Sequence, residues 1–310
     1  MPAESSPLVS IVIAAYAGAA HDAVLLDETL RTVAAQTCQD YECIVVDDGS
    51  PVDLRTVVSA HPRATLLQQA NAGCAMARNT GLGVVRGQFI VILDADDYLL
   101  PEALAAGLRA LAAHPECGFS VGRREEMTYE GGPVPWGVPT LPSETQMHHA
   151  LLAAEWYILP PSSAMFRREV VEAIGGFQDP WGADDLDFYL RVAHRFEGCC
   201  FNEPAVTRYR RYSASSSRNG ARMLESMRAV YARQWSLVQG DPAGEAAWHR
   251  GREKLTEIFR DCLAENLRDH VAAGAWRRAL ASVALLVRES PRRLRAEAAR
   301  ILLPGRRAVG

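Results

Sequence analysis

The sequence lacks the features that mark several large protein classes. No apolar run approaches the ~20 residues a membrane-spanning helix needs. The first ten residues, "MPAESSPLVS", have neither the basic patch nor the long apolar stretch of a secretory signal. No CxxC pair or metal-finger spacing occurs. The seven cysteines (Cys38, Cys43, Cys74, Cys117, Cys199, Cys200 and Cys262) are odd in number and scattered. They read as reduced, mostly buried thiols, and the chain as soluble and cytoplasmic. Positive charge is not in excess: the formal net charge is −4, which argues against a nucleic-acid partner. The G-x-G-x-x-G fingerprint of a nicotinamide dehydrogenase is absent after the first apolar run. The stretch there, "AAYAGAAHDA", also has no lysine or arginine to hold a triphosphate, as a sugar-phosphate nucleotidyltransferase would want. No internal repeat is present, and the histidines, His148 and His149 included, read as surface or core residues rather than as metal ligands.

What the chain does have is length and apolar content. Its 310 residues, 48% of them hydrophobic, suffice for one large domain with an appendage or for two modest domains. Four continuous apolar runs, Leu8 to Ile13, Cys43 to Val46, Ala64 to Leu67 and Phe89 to Leu93, suit strands covered on both faces. Helical patterns at Val24 to Ala35, Leu54 to Ala60 and Ala75 to Val85 alternate with them. The expected fold is therefore α/β, an open and mainly parallel sheet flanked by helices. Residues 130–143 hold four prolines and read as an irregular loop or lid. From about residue 222 the pattern is helical, with stripes at Leu224, Met227, Tyr231 and Trp235, then Leu255, Ile258, Phe259, Cys262 and Leu263.

Ligands of such sheets bind outside the carboxyl ends of the strands. Three strand ends carry polar groups: "AAY" (14–16), "DDGS" (47–50) and "DADD" (94–97). In extended backbone Asp94 and Asp96 point to one side and can address one ligand, and paired carboxylates suit a hard cation such as Mg²⁺ or Mn²⁺. A charged turn opening a helix is the alternative. Asp47-Asp48-Gly49-Ser50 is ordinary turn chemistry, or a carboxylate placed for a nucleobase N–H or ribose hydroxyl. "NAGCAMARNTG" (71–81) sets Arg78 early in a helix, able to hold phosphate or to form a plain ion pair. "WGADDLDFYLR" (181–191) puts Asp184 and Asp185 at a helix start. There they serve either as dipole-matching caps or as a general base for a sugar-accepting hydroxyl.

In order and spacing, "PLVSIVIAAY", "VVDDGS", "NAGCAMARNTGLGVVRGQFIVILDADD", "GGF" and "ADDLDFYLR" resemble the family 2 glycosyltransferases of the GT-A fold, over roughly residues 7–218. The resemblance implies a GT-A catalytic domain at 1–218, with nucleotide-sugar binding at about 7–100 and the acceptor part at about 101–218, followed by a helical extension at 219–310. It implies an inverting transferase, using a nucleotide-diphosphate sugar (most often a uridine one) with Mn²⁺ or Mg²⁺. The acceptor would be a glycan, a lipid-linked molecule or a small molecule. Ala14 and Tyr16 would line the base and ribose pocket, with Asn71 and Gly73 on the same nucleotide side. Asp48 would contact the uracil, Arg78 would sit near the nucleotide, Asp94 and Ala95 would meet the ribose side, and Asp96 would bind the metal. The family's "ED" is "DD" here, making Asp185 the base and Asp184 its neighbour. Two departures stand out. "AAYAG" replaces the common "PxYN", and Tyr212 stands where a "YRxH"-like segment has a metal-binding histidine. A non-catalytic nucleotide-sugar-binding scaffold is the alternative reading. The arginine-rich stretch 288–307 fits a solvated basic helix, an anionic membrane surface or a subunit contact.

Overall fold

The expected apolar runs become strands whose registers align their ends. In the computed structural model, which describes residues 6–134, 147–156, 160–178, 182–196, 199–211 and 218–302, β1 (Val9–Ala15) is followed by α1 (Ala20–Ala34) and β2 (Tyr41–Asp47). Then come α2 (Arg55–Ser59), β3 (Ala64–Gln68), α3 (Cys74–Leu82) and β4 (Phe89–Asp94). β1 pairs in parallel with β2 and β4, and β2 with β3. Ala15 stands opposite Asp47 and Ala14 opposite Asp94, so β1, β2 and β4 end at one edge. This register collects the polar strand ends in one place.

β1 is an unbroken apolar run because both its faces are covered: Val9, Ile11, Val12 and Ile13 are each fully buried. On one face α1 packs Leu26, Leu30 and Val33. On the other, Ala77 of α3 joins Ile44 and Val46. Gly81 allows that close approach, since a Cβ there would lie 2.4 Å from Val12 Cγ1.

Beyond β4 the sheet is mixed. The chain adds β5 (Tyr98–Leu99), α4 (Ala103–Ala113), β6 (Phe119–Met127), β7 (Pro133–Val134) and α5 (Met147–Leu152). β8 (Ala164–Arg167), α6 (Arg168–Ile174), α7 (Asp184–Arg195) and β9 (Cys199–Arg210) complete this part. The strand order is β3-β2-β1-β4-β8-β6-β9-β5, with β7 on β6. β8 runs against both its neighbours, β6 and β9 are parallel, and β5 pairs antiparallel with the distal part of β9. Most of the proline-rich 130–143 stretch lies outside the described residues, as does Tyr212.

The chain divides into two compact units, Met1–Leu151 with Glu155–Tyr212, and Leu152–Ala154 with Ser213–Gly310. The second is helical: α8 (Gly220–Val238), α9 (Pro242–Ala272), α10 (Trp276–Glu289) and α11 (Pro291–Leu302). Asn219 caps α8 through Arg222 N, and Asp241 caps α9 through Ala243 N and Gly244 N. Leu224, Leu263, Ala264, Leu267, Ala279 and Leu286 form its core. Ile258, expected on the inner stripe, is 41% exposed. The buried face turns along this 31-residue helix, from Ala247 and Gly251 to Leu263 and Leu267, and leaves Ile258 behind. Among the described residues no helix is long and apolar enough to cross a membrane.

Candidate active site

The "DADD" turn is clamped from both sides. From α1, Thr29 Oγ1 donates to the carbonyls of Ala95 (3.0 Å) and Asp97 (2.8 Å). From the end of β9, Arg210 Nε donates to the Asp96 carbonyl (2.8 Å) and Arg210 N to Asp97 Oδ1 (2.8 Å). The Arg210 side chain is 1% exposed; its remaining nitrogens reach the Tyr129 carbonyl and Glu28 Oε2, the latter at 2.8 Å. Tyr98 Oη donates to the same Glu28 oxygen, and the guanidinium lies 5.1 Å from the Tyr98 ring centroid. Sequence reasoning gave Arg210 no role, although it lies two residues before Tyr212 in the "RYRRY" stretch read for its histidine position.

The three carboxylates at this strand end have different surroundings. Asp97 is fully buried, and burial together with the nearby Asp96 and Asp94 holds its carboxyl well above the usual range. Asp94 is partly exposed and accepts from Arg78 Nη2 at 2.6 Å. Asp96 is partly exposed beyond the strand end.

Arg78 has a different setting from the one expected. It is 4% exposed, and its second terminal nitrogen, Nη1, reaches Asp184 Oδ2 at 2.5 Å. A single buried cation therefore ties the end of β4 to the start of α7, with Arg78 itself 106 positions from Asp184. Its guanidinium carbon lies 5.2 Å from the Phe177 ring centroid, and Phe177 stacks on Phe188 of α7 at 4.4 Å. With both terminal nitrogens on carboxylates, Arg78 is placed as a bridge between elements rather than as an open phosphate ligand.

The "GGF" segment seats α7 against α3. Asn79 Nδ2 donates to the Phe177 carbonyl and Phe177 N donates to Asn79 Oδ1, each at 2.8 Å. Gly176 has φ +75, and a Cβ there would meet Asn79 Oδ1 at 2.4 Å, so this position needs glycine on both counts. Arg191 of α7 reaches back to the carbonyls of Ile174 (2.8 Å) and Gly176 (2.6 Å) while its Nε pairs with the buried Asp187 at 2.8 Å. Asp187 thus serves the helix.

Within the acid pair the two carboxylates differ. Asp184 is 7% exposed and committed to Arg78, which leaves it unsuited to touching an acceptor. Burial raises its carboxyl above the ordinary value and Arg78 pulls against that rise. Asp185 is only partly buried, and its Oδ1 accepts from Leu186 N at 2.7 Å; no other described residue hydrogen-bonds its carboxylate. Burial, reinforced by the Asp184 charge, raises it to about 7. A carboxylate poised near neutral pH has the proton affinity of a general base.

On the neighbouring strand ends Ala14 is partly buried and Tyr16 is 54% exposed. Asp48 is 4% exposed and accepts from Gln69 Nε2 (2.7 Å), Ala72 N (2.8 Å) and Gly73 N (2.9 Å). Asn71 Nδ2 donates to the Asp48 carbonyl at 3.0 Å. Asp48 therefore pins the 71–73 loop, and those three bonds leave about one of its ~four acceptor directions for a nucleobase. Asp47 holds Ser50 N (2.9 Å) and Gln68 Nε2 (3.0 Å).

The donor set at this edge fits a hard divalent cation: the partly exposed side chains at the strand end, Asp94 and Asp96, offer carboxylate oxygens only, the ligand type such a cation takes. Among the described residues a separate His/Glu/Cys group, His114, Glu116 and Cys117, lies at the end of α4, on another element.

Comparison with known proteins gives this edge its context. The profile of Glycosyl transferase family 2 matches residues 10–175. The O-antigen biosynthesis protein RfbC of Myxococcus xanthus is 28% identical over 230 residues, 69% of this chain but 17% of that protein's length. Residues 1–349 of TarS from S. aureus, solved in complex with UDP-GlcNAc, superpose with a TM-score of 0.61 at 16% identity, covering 94% of this chain and 83% of that one. The mannosyltransferase PcManGT from Pyrobaculum calidifontis, solved with GDP-Man and Mn²⁺, gives 0.58 at 22% identity, covering 97% and 88%. The fold is that of the GT-A glycosyltransferases, and the chain belongs to glycosyl transferase family 2.

Proposed function

We propose that the chain transfers a sugar from a nucleotide-diphosphate sugar to an acceptor hydroxyl with inversion at the anomeric carbon. The observation that carries this reading is the Arg78 bridge between Asp94 (2.6 Å) and Asp184 (2.5 Å), which fixes Asp185, one residue on, beside the strand end that would hold the donor. Asp185 accepts the acceptor's hydroxyl proton. The freed oxygen pair bonds to the anomeric carbon from the face opposite the diphosphate. The bond from that carbon to the diphosphate oxygen breaks, and the nucleoside diphosphate leaves with the electron pair. Asp96 would hold a divalent cation on the donor, with Asp94 and Ala95 facing the ribose side and Ala14, Tyr16, Asp48, Asn71 and Gly73 around the nucleoside. When bound, such a cation neutralises charge building on the departing diphosphate. Arg78 and Asp184 are positioning residues in this scheme.

The TarS complex with UDP-GlcNAc supports a uridine donor, and the PcManGT complex supports Mn²⁺ at the diphosphate. The O-antigen relative supports a glycan or lipid-linked acceptor. The test is a panel of nucleotide sugars screened by thermal shift with and without Mn²⁺, because a bound ligand raises apparent stability. The stabilising donor is then assayed for metal-dependent release of nucleoside diphosphate. Stabilisation by a donor with slow metal-dependent turnover is expected. Stabilisation without any turnover, in the presence or absence of candidate acceptors, would point to a binding scaffold.

A further inference from the structure

The second unit carries an exposed apolar ridge that nothing in the transfer scheme uses. Leu280, Trp276 and Val287 are the most exposed large apolar side chains among the described residues, at 69%, 64% and 56%. All three belong to α10, at steps of four and seven residues, so they line one face. The helix buries a different face, through Ala279, Ser282, Leu286 and Glu289. The ridge is therefore additional to the seam that holds α10 in its unit.

The α10–α11 stretch is cationic. Residues 276–300 contain seven arginines against two glutamates. Both glutamates are buried and spent within the unit: Glu289 on Arg228 and Arg288, and Glu297 on Arg268 (2.5 Å) and Arg300 (2.7 Å). Arg277 flanks the ridge on α10, and Arg292 and Arg295 are exposed on α11; none of the three has an ion-pair partner among the described residues. Three apolar side chains offer far less than the ~800 Å² per partner of a standard protein interface. A tryptophan-led ridge on a helix pair that also exposes unpaired arginines instead matches the headgroup boundary of an anionic bilayer.

We propose that the α10–α11 face docks on an anionic lipid bilayer, Trp276, Leu280 and Val287 entering the headgroup–acyl boundary while Arg277, Arg292 and Arg295 meet lipid phosphates. The proposal rests on the helical unit alone and stands or falls separately from the transfer chemistry. The experiment is co-sedimentation of the full chain with phosphatidylcholine vesicles and with vesicles containing one third phosphatidylglycerol. Binding to the anionic vesicles, about tenfold or more above the neutral ones and weakened by high salt, is expected. The pair Trp276→Glu with Leu280→Glu should lower that binding about tenfold or more while leaving the melting temperature unchanged. If the pair also lowers the melting temperature, Arg277→Glu with Arg292→Glu and Arg295→Glu replaces it as the deciding variant, with the same loss expected. Equal binding to both vesicle types, no binding to either, or full binding by the deciding variant overturns the proposal. So does a sizing profile in which the glutamate pair converts a dimer to a monomer, which would assign the ridge to a second copy of the chain.

Discussion

Replacing Asp185 by asparagine should stabilise the protein while disabling it. The carboxyl is raised from 3.8 to about 7, mainly by burial and then by Asp184. An acid with a raised folded-state pKa favours the fold fully below its unfolded value and loses that contribution as pH climbs through the folded value. Asp185 therefore costs stability increasingly from about pH 4 to pH 7, where it must ionise beside Asp184. At ~1.36 kcal/mol per pH unit the interval from 3.8 to about 7 is worth roughly 4 kcal/mol, and about 2–4 once water reaching the partly buried carboxylate is allowed for. Asparagine keeps an oxygen for Leu186 N and never ionises. Urea unfolding should show the variant more stable by about that amount at pH 8 and level with the parent at pH 4. Sugar transfer should fall by roughly 10²–10⁴-fold, the usual worth of a general base, with nucleotide affinity kept. In the parent protein the rate should rise with pH and level off above about 7. A variant with no alkaline stability gain would refute the electrostatics; one that transfers sugar at the parental rate would refute the role.

Other substitutions probe the supports. Asn79→Ala strands the Phe177 N–H and carbonyl, costing about 2–4 kcal/mol in a denaturation curve, and should reduce kcat more than donor binding because it loosens the lead-in to α7. Arg210→Met removes a buried cation from Glu28 and the Asp96 carbonyl. It should cost about 2–4 kcal/mol and weaken Mn²⁺-dependent nucleotide binding measured by calorimetry. Asp96→Ala should abolish the Mn²⁺-dependent part of UDP affinity while the metal-independent part persists. Unchanged Mn²⁺ dependence in that variant would remove Asp96 from the cation site.

What could be read from the sequence follows the range of the physics involved. Val9, Ile11, Val12 and Ile13 announce a doubly covered strand because the requirement for apolar side chains is local. "DADD" and "ADDLD" show the acids because residue type and short spacing carry the signal. Partnerships across the chain do not show. Arg78 could be read for phosphate or for an ion pair and was expected near the nucleotide, and its choice of Asp94 and Asp184 depends on how α7 returns to β4 after about a hundred residues. Arg210 was hidden for the same reason, since its partners Glu28, Tyr129 and Asp96 lie 81 to 182 residues away. The mixed second half of the sheet was equally hidden: β6 and β9 each carry charged residues and give no continuous apolar run. Ile258 was misplaced because a fixed stripe ignores the drift of the buried face along a long helix.

The most direct measurement is a crystal of the chain soaked with UDP and Mn²⁺. A cation bridging Asp96 and the diphosphate, with the ribose beside Asp94, is the expected result. Nucleotide ordered at another edge of the sheet, or an empty site beside Asp94 and Asp96 at saturating ligand, would contradict the placement of the donor and the chemistry built on it.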